Sequence, residues 1–533
     1  MLQYAIDLGS HAGLSSTYSQ VLAGAAVLGL VLYAYLREPR LYEGIPAFGI
    51  DEKGWMKIEK ARRRYTEQGT QLVAEAVQKF SQPYQMATDV GIKIFLPARF
   101  AEEIKNIKQM SFKKAIGTEF FLGYPGLDGM DSLTHQNDIL QKVTRQNITQ
   151  SLNLITDDLS DEATLALEEM LGDNKEWTSM TLKTFVLHLV ARLSSRLFVG
   201  EELCRNEEWL ELAKTYTLDT FAAARVLRST PFALRRIAVW FLPEWKKVRQ
   251  DLADAKRILS PVIEKRLERN RIADAKGVPR PKTGDTIQWF HDAFERNGLE
   301  PKLAGAQLAL SVVAIHTTTE LLTGTLLDLA HNDEFIDNLR EEMIGVLEEQ
   351  NAAAEVDTDG STKTTWKKNS LYKLKLLDSA LKESQRLHTR DIASMRRIAE
   401  APVTLSDGTV IPKGAFTWVT LDAYKNPDIY ADPEKYNPRR FLDLRNQPGQ
   451  ENRWQLVSTT ADHLGFGHGE HACPGRFFAS NEAKIALVHL LMKYDWKLPD
   501  GKRPGDVVKG GTERGVDGET KILFRRRQEE VSL

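Results

Sequence analysis

The sequence predicts a mainly α-helical domain with small inserted β-sheets, an α+β fold, that follows one N-terminal membrane-spanning helix. Three observations lead to this prediction. Apolar residues recur at helical spacing over most of residues 54–388, short β-like runs appear only after Arg396, and an uncharged apolar stretch lies near the N-terminus. The 533 residues suit one large domain with an appendage.

The first element is the apolar stretch Val21–Leu36, which we interpret as the core of a membrane anchor over about residues 18–36. Its length approaches the ~20 residues that cross a bilayer. No lysine or arginine precedes it, whereas Arg37 and Arg40 follow directly, so the body of the protein is expected to face the cytoplasm. A cleaved signal peptide is the alternative, but it would carry its positive charge before the apolar stretch.

Residues 37–53 are rich in glycine and proline and predict a hinge. The hinge would connect an N-terminal region, residues 1–36, to a folded domain that covers residues 54–533. This division predicts a single-pass membrane protein.

The composition excludes several classes of protein. A formal net charge of -2 argues against nucleic-acid binding, which requires a strong basic excess. The only two cysteines, Cys204 and Cys473, form neither a disulfide framework nor a structural zinc site. No GxGxxG follows a predicted strand, so a built-in dinucleotide site is not expected.

The body of the protein is mostly helical in its apolar periodicity. The predicted helices before the central one are Gly54–Lys79, Gln136–Leu171, Trp177–Leu197, Glu207–Arg228 and Trp245–Arg269. Leu303–Ala330 is the least polar long stretch of the body and could be mistaken for a second membrane span. Its polar side chains, such as Gln307 and His316, would be costly in lipid, so we interpret it as a long central helix buried on all sides.

The pattern of apolar residues changes in the last third of the sequence. Leu371–His388 is again helical, but short β-like runs follow at Val403–Leu405, Thr409–Ile411 and Phe416–Leu421. A final helix is predicted from Arg476 to about Tyr494. The sheets come too late and are too short for a doubly wound fold.

The most informative segment reads FGHGEHACPGR and contains Cys473. Its glycines permit unusual backbone dihedrals, and Pro474 is well tolerated at the first position of a helix. The sulfur of Cys473 would then receive backbone N–H groups from the helix start, which predicts a lowered thiol pKa and a thiolate. A buried structural cysteine in a glycine-rich turn is the alternative.

This segment resembles the haem-binding loop of the cytochromes P450, FxxGx[RH]xCxG, in the CPGR variant of fungal members. The resemblance implies the cytochrome P450 fold, with a long central helix over haem b (iron protoporphyrin IX). It also implies that Cys473 is the axial ligand of the iron, through a thiolate that favours O–O cleavage. The other cofactor-binding residues that it implies in this loop are Phe466 against the sulfur, Gly467, His471 at a haem propionate and Gly475 under the macrocycle.

Further segments resemble the family in the same order along the chain. Glu383 and Arg386 form an ExxR pair one turn apart on a helix, and Arg440 lies in a segment similar to the family's PERF motif. The resemblance implies a buried structural network of these three residues. Because two arginines would share one carboxylate, backbone carbonyls must accept the remaining donors.

The stretch Ala314–Thr319 resembles the oxygen-activation signature of the family, which implies catalytic roles for Thr318, Thr317 and His316. Thr318 stands at the position of the characteristic threonine, whose hydroxyl relays protons. Thr317 replaces the usual carboxylate, so proton delivery is expected to use His316, water or the substrate. The alternatives are a threonine hydroxyl bonded to a carbonyl one turn earlier, and a hydrogen-bonded core histidine at position 316.

Two arginines outside the loop are candidates for the haem propionates. Arg397 precedes a predicted sheet where family members carry such an arginine, and a solvated arginine is the alternative. Arg145 matches the arginine of a WxxxR helix, although Gln141 replaces its tryptophan. The resemblance covers roughly residues 37–530.

Three functions remain open from the sequence. The first is a monooxygenase that oxidises a hydrophobic small molecule, a secondary-metabolite intermediate, with O2 and electrons from NADPH-cytochrome P450 reductase. The second is a haem-thiolate oxidase that couples, desaturates or rearranges its substrate without oxygen insertion. The third is a haem-binding membrane protein without catalysis. The anchor and the resemblance imply the endoplasmic reticulum as the location.

The substrate pocket is expected to draw on segments that mix aromatic, small and apolar residues. These segments are Ala115–Leu133, Leu218–Thr230, Leu308–Thr318 and Ile392–Met395. They show no fixed basic clamp.

Overall fold

The computed structural model describes residues 20–26, 28–29, 40–50, 57–135, 137–281, 283–352, 366–509 and 511–531. Most of the predicted anchor, residues 18–36, and residues 51–56 lie outside these ranges. Residues 20–26 and 28–29 are helical, and the side chains of Val21, Leu22 and Leu28 are 64%, 58% and 70% exposed.

Helices dominate the body, as the sequence predicts. In chain order they are α1 (Lys57–Lys79), α2 (Ala101–Ile104), α3 (Phe112–Phe120), α4 (Asp128–Asp131), α5 (Ile139–Lys142), α6 (Leu152–Leu171), α7 (Leu182–Phe198), α8 (Glu207–Ser229), α9 (Arg235–Ala238), α10 (Pro243–Ala275), α11 (Thr286–Arg296), α12 (Leu303–His331), α13 (Glu334–Ala352), α14 (Lys368–Lys373), α15 (Lys375–Leu387), α16 (Arg440–Arg445) and α17 (Arg476–Lys493). A π-helical segment, Val143–Ile148, follows α5 directly.

Four small sheets contain the strands. The strands are β1 (Tyr84–Thr88), β2 (Gly91–Leu96), β3 (Met110–Ser111), β4 (Thr178–Thr181), β5 (Ala393–Ala399), β6 (Val403–Thr404), β7 (Val410–Ile411), β8 (Phe416–Thr420), β9 (Tyr494–Lys497), β10 (Val507–Lys509), β11 (Glu513–Gly515) and β12 (Lys521–Arg526). The largest sheet has the order β1-β2-β8-β5-β3, in which only the β2–β8 pair is parallel. The order in the second is β4-β12-β9, and β10–β11 and β6–β7 are separate pairs.

The central helix α12 explains why so apolar a stretch belongs to the folded domain. Among the described residues it is the one helix long and apolar enough to cross a membrane, and 67% of its most apolar window is buried within the protein. It packs against α7, α8 and α15 within the largest apolar cluster. A helix that is apolar all round is stable when it is enclosed by other helices, so the prediction of a buried central helix is confirmed.

A bulge in β5 sets the directions of two arginine side chains. The register between β5 and β8 shifts between Ser394 and Arg397, and Met395 there has a φ of 51°. An extra residue in one strand bends it and re-aims the side chains that follow. Arg397 is buried as a result, with 2% of its surface exposed.

The described part of the predicted hinge is not a free linker. The backbone of residues 46–48 pairs with Gln85 in β1, at 2.8 Å and 2.9 Å. The Gln85 side chain donates to the carbonyls of Tyr42 and Ile45 at 2.8 Å and 2.7 Å. Residues 46–48 therefore lie along β1, and the buried side chain of Gln85 holds Tyr42 and Ile45 to the same strand.

Three further expectations about secondary structure are wrong. The largest sheet begins early in the chain, with β1 and β2, whose residues are buried on both faces even where they are polar, as at Gln85 and Lys93. The segment Trp177–Leu197 starts with a strand, β4, before α7. The single helix expected over Gln136–Leu171 is interrupted by the π-helical segment and a turn at Ser151.

Candidate active site

The loop before α17 presents the sulfur of Cys473 to the interior. Gly467 and Gly469 have φ values of 68° and 75°, which side chains with a Cβ rarely adopt. The Cys473 amide donates to the carbonyl of Phe466 at 2.8 Å, which closes the turn. The Cys473 sulfur accepts hydrogen bonds from the amides of Gly475 and Arg476 at the helix start, as the sequence predicts.

Without a metal ion on the sulfur, the prediction that the pKa of Cys473 is lowered is wrong. Burial raises the pKa of Cys473, and the two amides and the Arg476 charge oppose this shift only in part. Desolvation of a thiolate therefore outweighs the helix start. A metal ion on the sulfur would deprotonate a thiol outright, so this thiol suits a metal ligand better than a free nucleophile.

Arg476 holds the loop together. Its guanidinium donates to the carbonyls of Val457 and Cys473 at 3.1 Å and 2.8 Å. These bonds tie the residue after the loop to the segment before it. Phe466 is partly buried against the largest apolar cluster.

Arg397 is a buried cation without a carboxylate partner among the described residues. Its guanidinium donates to the carbonyl of Arg396 at 2.8 Å and lies 5.7 Å from the ring centroid of Phe112. Burial lowers the pKa of Arg397 to about 10. A buried, unmatched guanidinium is costly, and a bound anion would relieve that cost.

His471 and Arg145 bring further positive charge to the same side of the loop. The His471 ring stacks on Phe112 with centroids 5.6 Å apart, and burial together with Arg397 lowers the pKa of His471. Arg145 is exposed and donates to the carbonyl of Glu470 at 2.9 Å. The structure thus gives Arg145 a contact with the loop backbone.

These residues fit the haem that the sequence implies. A Cβ built on Gly475 would meet only Thr144 Cγ2, at 3.7 Å, within 4 Å, so space remains beside the loop. A half-buried thiol, an open glycine and an unmatched guanidinium together suit a flat group that carries a metal ion and anionic substituents. Cys473 would hold the iron, and Arg397 and His471 would hold propionates.

The stretch Ala314–Thr319 lies in the middle of α12, and its threonines differ in their partners. Thr317 donates back to the carbonyls of Val313 and Ala314 at 2.8 Å and 3.1 Å. Thr319 donates in the same way to Ile315 at 2.7 Å. Val313 and Thr317, one turn apart, are exposed in an otherwise buried helix, so they border an internal space.

His316 occupies a structural position. Its Nε2 lies 2.8 Å from the carbonyl of Lys214 and donates to it, which ties α12 to α8. Burial lowers the pKa of His316, so its neutral form is favoured. This geometry agrees with the hydrogen-bonded core histidine and not with a proton relay.

Thr318 contacts a functional candidate that the sequence reasoning missed, Glu482 of α17. The Ser194 hydroxyl donates to Oε1 of Glu482 at 2.6 Å, and the Thr318 hydroxyl interacts with the same carboxyl group. Oε2 otherwise has no hydrogen-bond partner among the described residues. Burial raises the pKa of Glu482 to about 8, so this acid is neutral at neutral pH.

One signal in the sequence could have found Glu482. It is an acidic residue within a long apolar helix, nine positions after Cys473, where a solvated side chain is not expected. The partner residues Ser194 and Thr318 belong to α7 and α12, so only the packing of three helices shows what the acid contacts.

The predicted structural network is present and fully buried. Glu383 accepts from Arg386 at 2.8 Å and 2.9 Å and from Arg440 at 2.8 Å. The remaining donors go to backbone carbonyls, including Tyr424 at 2.7 Å and Lys435 at 3.1 Å. One carboxylate and several carbonyls therefore satisfy two buried guanidinium groups, as the sequence predicts.

Comparisons with known proteins agree with this site. A family model described as Cytochrome P450 matches residues 74–515. The chain is 42% identical over 481 residues to cytochrome P450 monooxygenase adrA of Penicillium rubens, across 89% of this chain and 90% of that protein. It is 43% identical over 477 residues to cytochrome P450 monooxygenase hepE of Aspergillus oryzae, across 89% of this chain and 84% of that protein.

A further fungal relative and a solved structure extend the comparison. Cytochrome P450 monooxygenase 1 of Gibberella fujikuroi is 40% identical over 451 residues, across 85% of this chain and 99% of that protein. The structure of retinoic acid bound cyanobacterial CYP120A1 aligns with a TM-score of 0.65 at 17% identity, across 91% of this chain and 99% of that chain. That structure supports the fold alone.

Proposed function

This chain belongs to the cytochrome P450 family, and on that premise we propose what it oxidises and how its residues contribute. As a cytochrome P450 monooxygenase its cofactor is haem b, which supplies the binding and reductive activation of O2 when it is bound. We propose that the substrate is a hydrophobic intermediate of secondary metabolism. The electrons would come from NADPH through NADPH-cytochrome P450 reductase.

One observation supports this proposal above the others. The Cys473 sulfur lies at the start of α17, where two backbone amides donate to it, and buried Arg397 has no carboxylate partner among the described residues. The first feature suits an axial ligand and the second suits a propionate. In this proposal Phe466, Gly467 and Gly475 shape the loop around the cofactor.

Glu482, Thr318 and Ser194 would hold and move a proton. The neutral carboxyl group of Glu482 stores a proton beside the Thr318 hydroxyl, which can pass it toward the internal space bordered by α12. Ser194 orients the carboxyl group through its 2.6 Å hydrogen bond. Glu482 would thus take over the role of the carboxylate that family members usually carry at the position of Thr317.

The protein surface supports a membrane location. The segment between α8 and α10 exposes five large apolar side chains, with exposed fractions of 53% for Phe232, 36% for Leu234, 54% for Ile237, 57% for Trp240 and 79% for Phe241. Clustered exposed aromatics next to arginines are typical of a surface that contacts lipid. We propose that this surface and an anchor at about residues 18–36 hold the domain on the cytoplasmic side of the endoplasmic reticulum.

A second reaction outcome is favoured by Thr317. Its hydroxyl is bonded to two carbonyls of its own helix, and so it delivers no proton. We therefore keep as a second candidate the oxidative coupling, desaturation or rearrangement of the substrate without oxygen insertion. The two outcomes differ in the fate of oxygen and can be measured separately.

The first experiment tests haem-thiolate ligation. The purified protein, reduced and exposed to CO, should show the red-shifted Soret band of a thiolate ligand, and Cys473→Ser should lose it. Cys204→Ser is the matched control, because Cys204 is buried beside Glu162 and outside the site. A normal thiolate band in Cys473→Ser would refute the assignment.

The second experiment tests the reaction. Membranes that contain the protein and the reductase are supplied with NADPH, 18O2 and candidate substrates. These candidates are the intermediates that neighbouring biosynthetic enzymes make. One labelled oxygen atom in each product molecule supports monooxygenation. Product without label supports oxidation without insertion, and an absence of substrate-dependent NADPH consumption with every intermediate would support a haem protein without catalysis.

A further inference from the structure

Arg390 lies in the loop between α15 and β5, where side chains of α3, α8 and β11 converge. Its guanidinium lies 5.5 Å from the ring centroid of Phe221 in α8 and donates to Glu513 of β11 at 3.0 Å. Phe221 in turn contacts Phe120 at the end of α3, with centroids 5.3 Å apart. The carbonyl of Arg390 accepts from the Arg514 amide at 2.8 Å, which fixes the backbone on the β10–β11 hairpin.

These four side chains meet without covering one another, and their meeting point is called the Arg390 crevice below. Arg390, Phe221, Phe120 and Glu513 are each half-buried, although they come from four separate parts of the chain. Side chains that converge without enclosing one another are typical of the walls of a binding cleft. The Arg390 charge is also one cause of the lowered pKa of His316, so the guanidinium is within electrostatic range of the stretch that contains Thr318.

Most of the hydrogen-bonding capacity of Arg390 is unused. A guanidinium has five N–H donors, and Arg390 makes one side-chain hydrogen bond within the described part of the chain, to one oxygen of Glu513. The neighbouring Arg396 differs, because it contacts both Glu119 at 3.0 Å and Asp391 at 2.8 Å. Arg390 is therefore the arginine of this crevice that is available to a ligand.

We propose that Arg390 is a specificity-determining residue that binds a carboxylate on an otherwise apolar substrate. The inference rests on the proposed function and narrows its substrate class to apolar carboxylic acids. Phe120 and Phe221 would contact the carbon skeleton, and Arg390 would bind the acid at the end remote from the oxidised carbon.

The chemistry favours a carboxylate over a neutral oxygen. A carboxylate can accept two parallel bonds from the fork of an arginine, whereas Glu513 uses one. Glu513 has 41% of its side chain exposed, so water can stabilise it after the substrate displaces it.

The experiment uses haem-loaded full-length protein and two pairs of probes. The pairs are abietic acid with methyl abietate, and lauric acid with methyl laurate, and dissociation constants are measured from the change in the haem absorption spectrum. Each acid should bind at least about tenfold more tightly than its ester, as expected for a charge-assisted bidentate pair. Arg390→Leu should remove this preference and leave the affinity for the esters unchanged.

Two further variants sharpen the test. Glu513→Gln removes the competing carboxylate and should tighten binding of both acids. Arg99→Leu is the matched control, because Arg99 also makes one bond to a carboxylate, 3.3 Å to Asp407, and lies over a phenylalanine ring, but is exposed elsewhere. It should leave every affinity unchanged.

The outcomes separate this inference from the proposed function. Equal affinities for acid and ester, no binding of either acid, or an undiminished preference in Arg390→Leu would overturn the role of Arg390. In those cases a thiolate-type CO spectrum would leave the proposed function intact. Loss of that spectrum in the unmodified protein would instead refute the proposed function.

Discussion

The Ser194 hydroxyl donates to Glu482 at 2.6 Å, and this contact between two fully buried side chains connects α7 to α17. The Thr318 hydroxyl reaches the same carboxyl group from α12. In the proposed mechanism this neutral buried acid with two hydroxyl neighbours is a proton store beside Thr318.

Glu482→Gln tests whether this proton reaches the reaction. The amide keeps the size of the side chain but cannot release a proton, so product formed per NADPH should fall roughly tenfold while NADPH oxidation continues. Glu342→Gln is the matched control, because burial also raises the pKa of Glu342, but its carboxylate accepts from the amides of Leu376 and Leu377 and lies between α13 and α15. Equal coupling in Glu482→Gln and the unmodified enzyme would exclude a role for this acid.

Stability should fall as the pH rises towards the pKa of Glu482, which burial raises to about 8. In the unfolded chain a glutamate titrates near ~4.3, so between these values the folded state binds the extra proton. The contribution of this group to stability is full below the unfolded pKa and is lost as pH rises through the folded pKa. Urea unfolding of the apoprotein between pH 5 and pH 8 should show a smaller decline in Glu482→Gln, and an identical decline would contradict the assignment.

Removal of the shared carboxylate should be the most destabilising single change outside the haem site. Glu383→Gln leaves two buried arginines without a counter-charge, and we expect a loss of about 3–5 kcal/mol in the free energy of unfolding. Glu59→Gln is the matched control, because Glu59 pairs with Arg62 at 3.1 Å in the same i, i+3 arrangement but is exposed. Its effect should stay within about 0.5 kcal/mol. Similar losses in both variants would show that the buried network adds nothing.

Arg397→Leu should weaken haem binding without lowering the stability of the apoprotein. Removal of an unmatched buried cation should leave the stability of the apoprotein unchanged or higher. Haem retention should fall about tenfold, since a charge-assisted contact with an anionic substituent is lost. Haem transfer to apomyoglobin measures retention, and thermal unfolding measures stability. Arg145→Leu, at an exposed position, should change haem transfer less than Arg397→Leu does. Equal effects of the two substitutions would show that Arg397 does not hold a propionate.

His316→Leu should affect packing and not proton delivery. The variant removes the hydrogen bond to the Lys214 carbonyl and leaves that acceptor unpaired, which should cost about 1–3 kcal/mol of stability. Product formed per NADPH should remain unchanged, because the Nε2 hydrogen is committed to the backbone. A loss of coupling at unchanged stability would restore His316 as a proton relay.

Local chemistry explains why much of the site could be predicted. The glycine turn before α17 and the i, i+3 spacing of Glu383 and Arg386 are short-range patterns, so their geometry follows from a few neighbouring residues. The shortage of carboxylates in the network also predicted that carbonyls accept from Arg440, and they do. Strands β1 and β2 were missed because both faces of each strand are buried, so that Gln85 and Lys93 lie inside, where a polar residue of a strand is expected to face water.

The sequence by itself determined which residue can ligate iron, which helix is central and which charges form the buried network. Only the tertiary structure decided that Glu482 meets Thr318, that Arg397 lacks a partner among the described residues, and that burial raises the pKa of Cys473. The physical reason is that motifs depend on neighbours along the chain. The protonation and pairing of a side chain depend on what distant elements pack against it and on how much water they exclude.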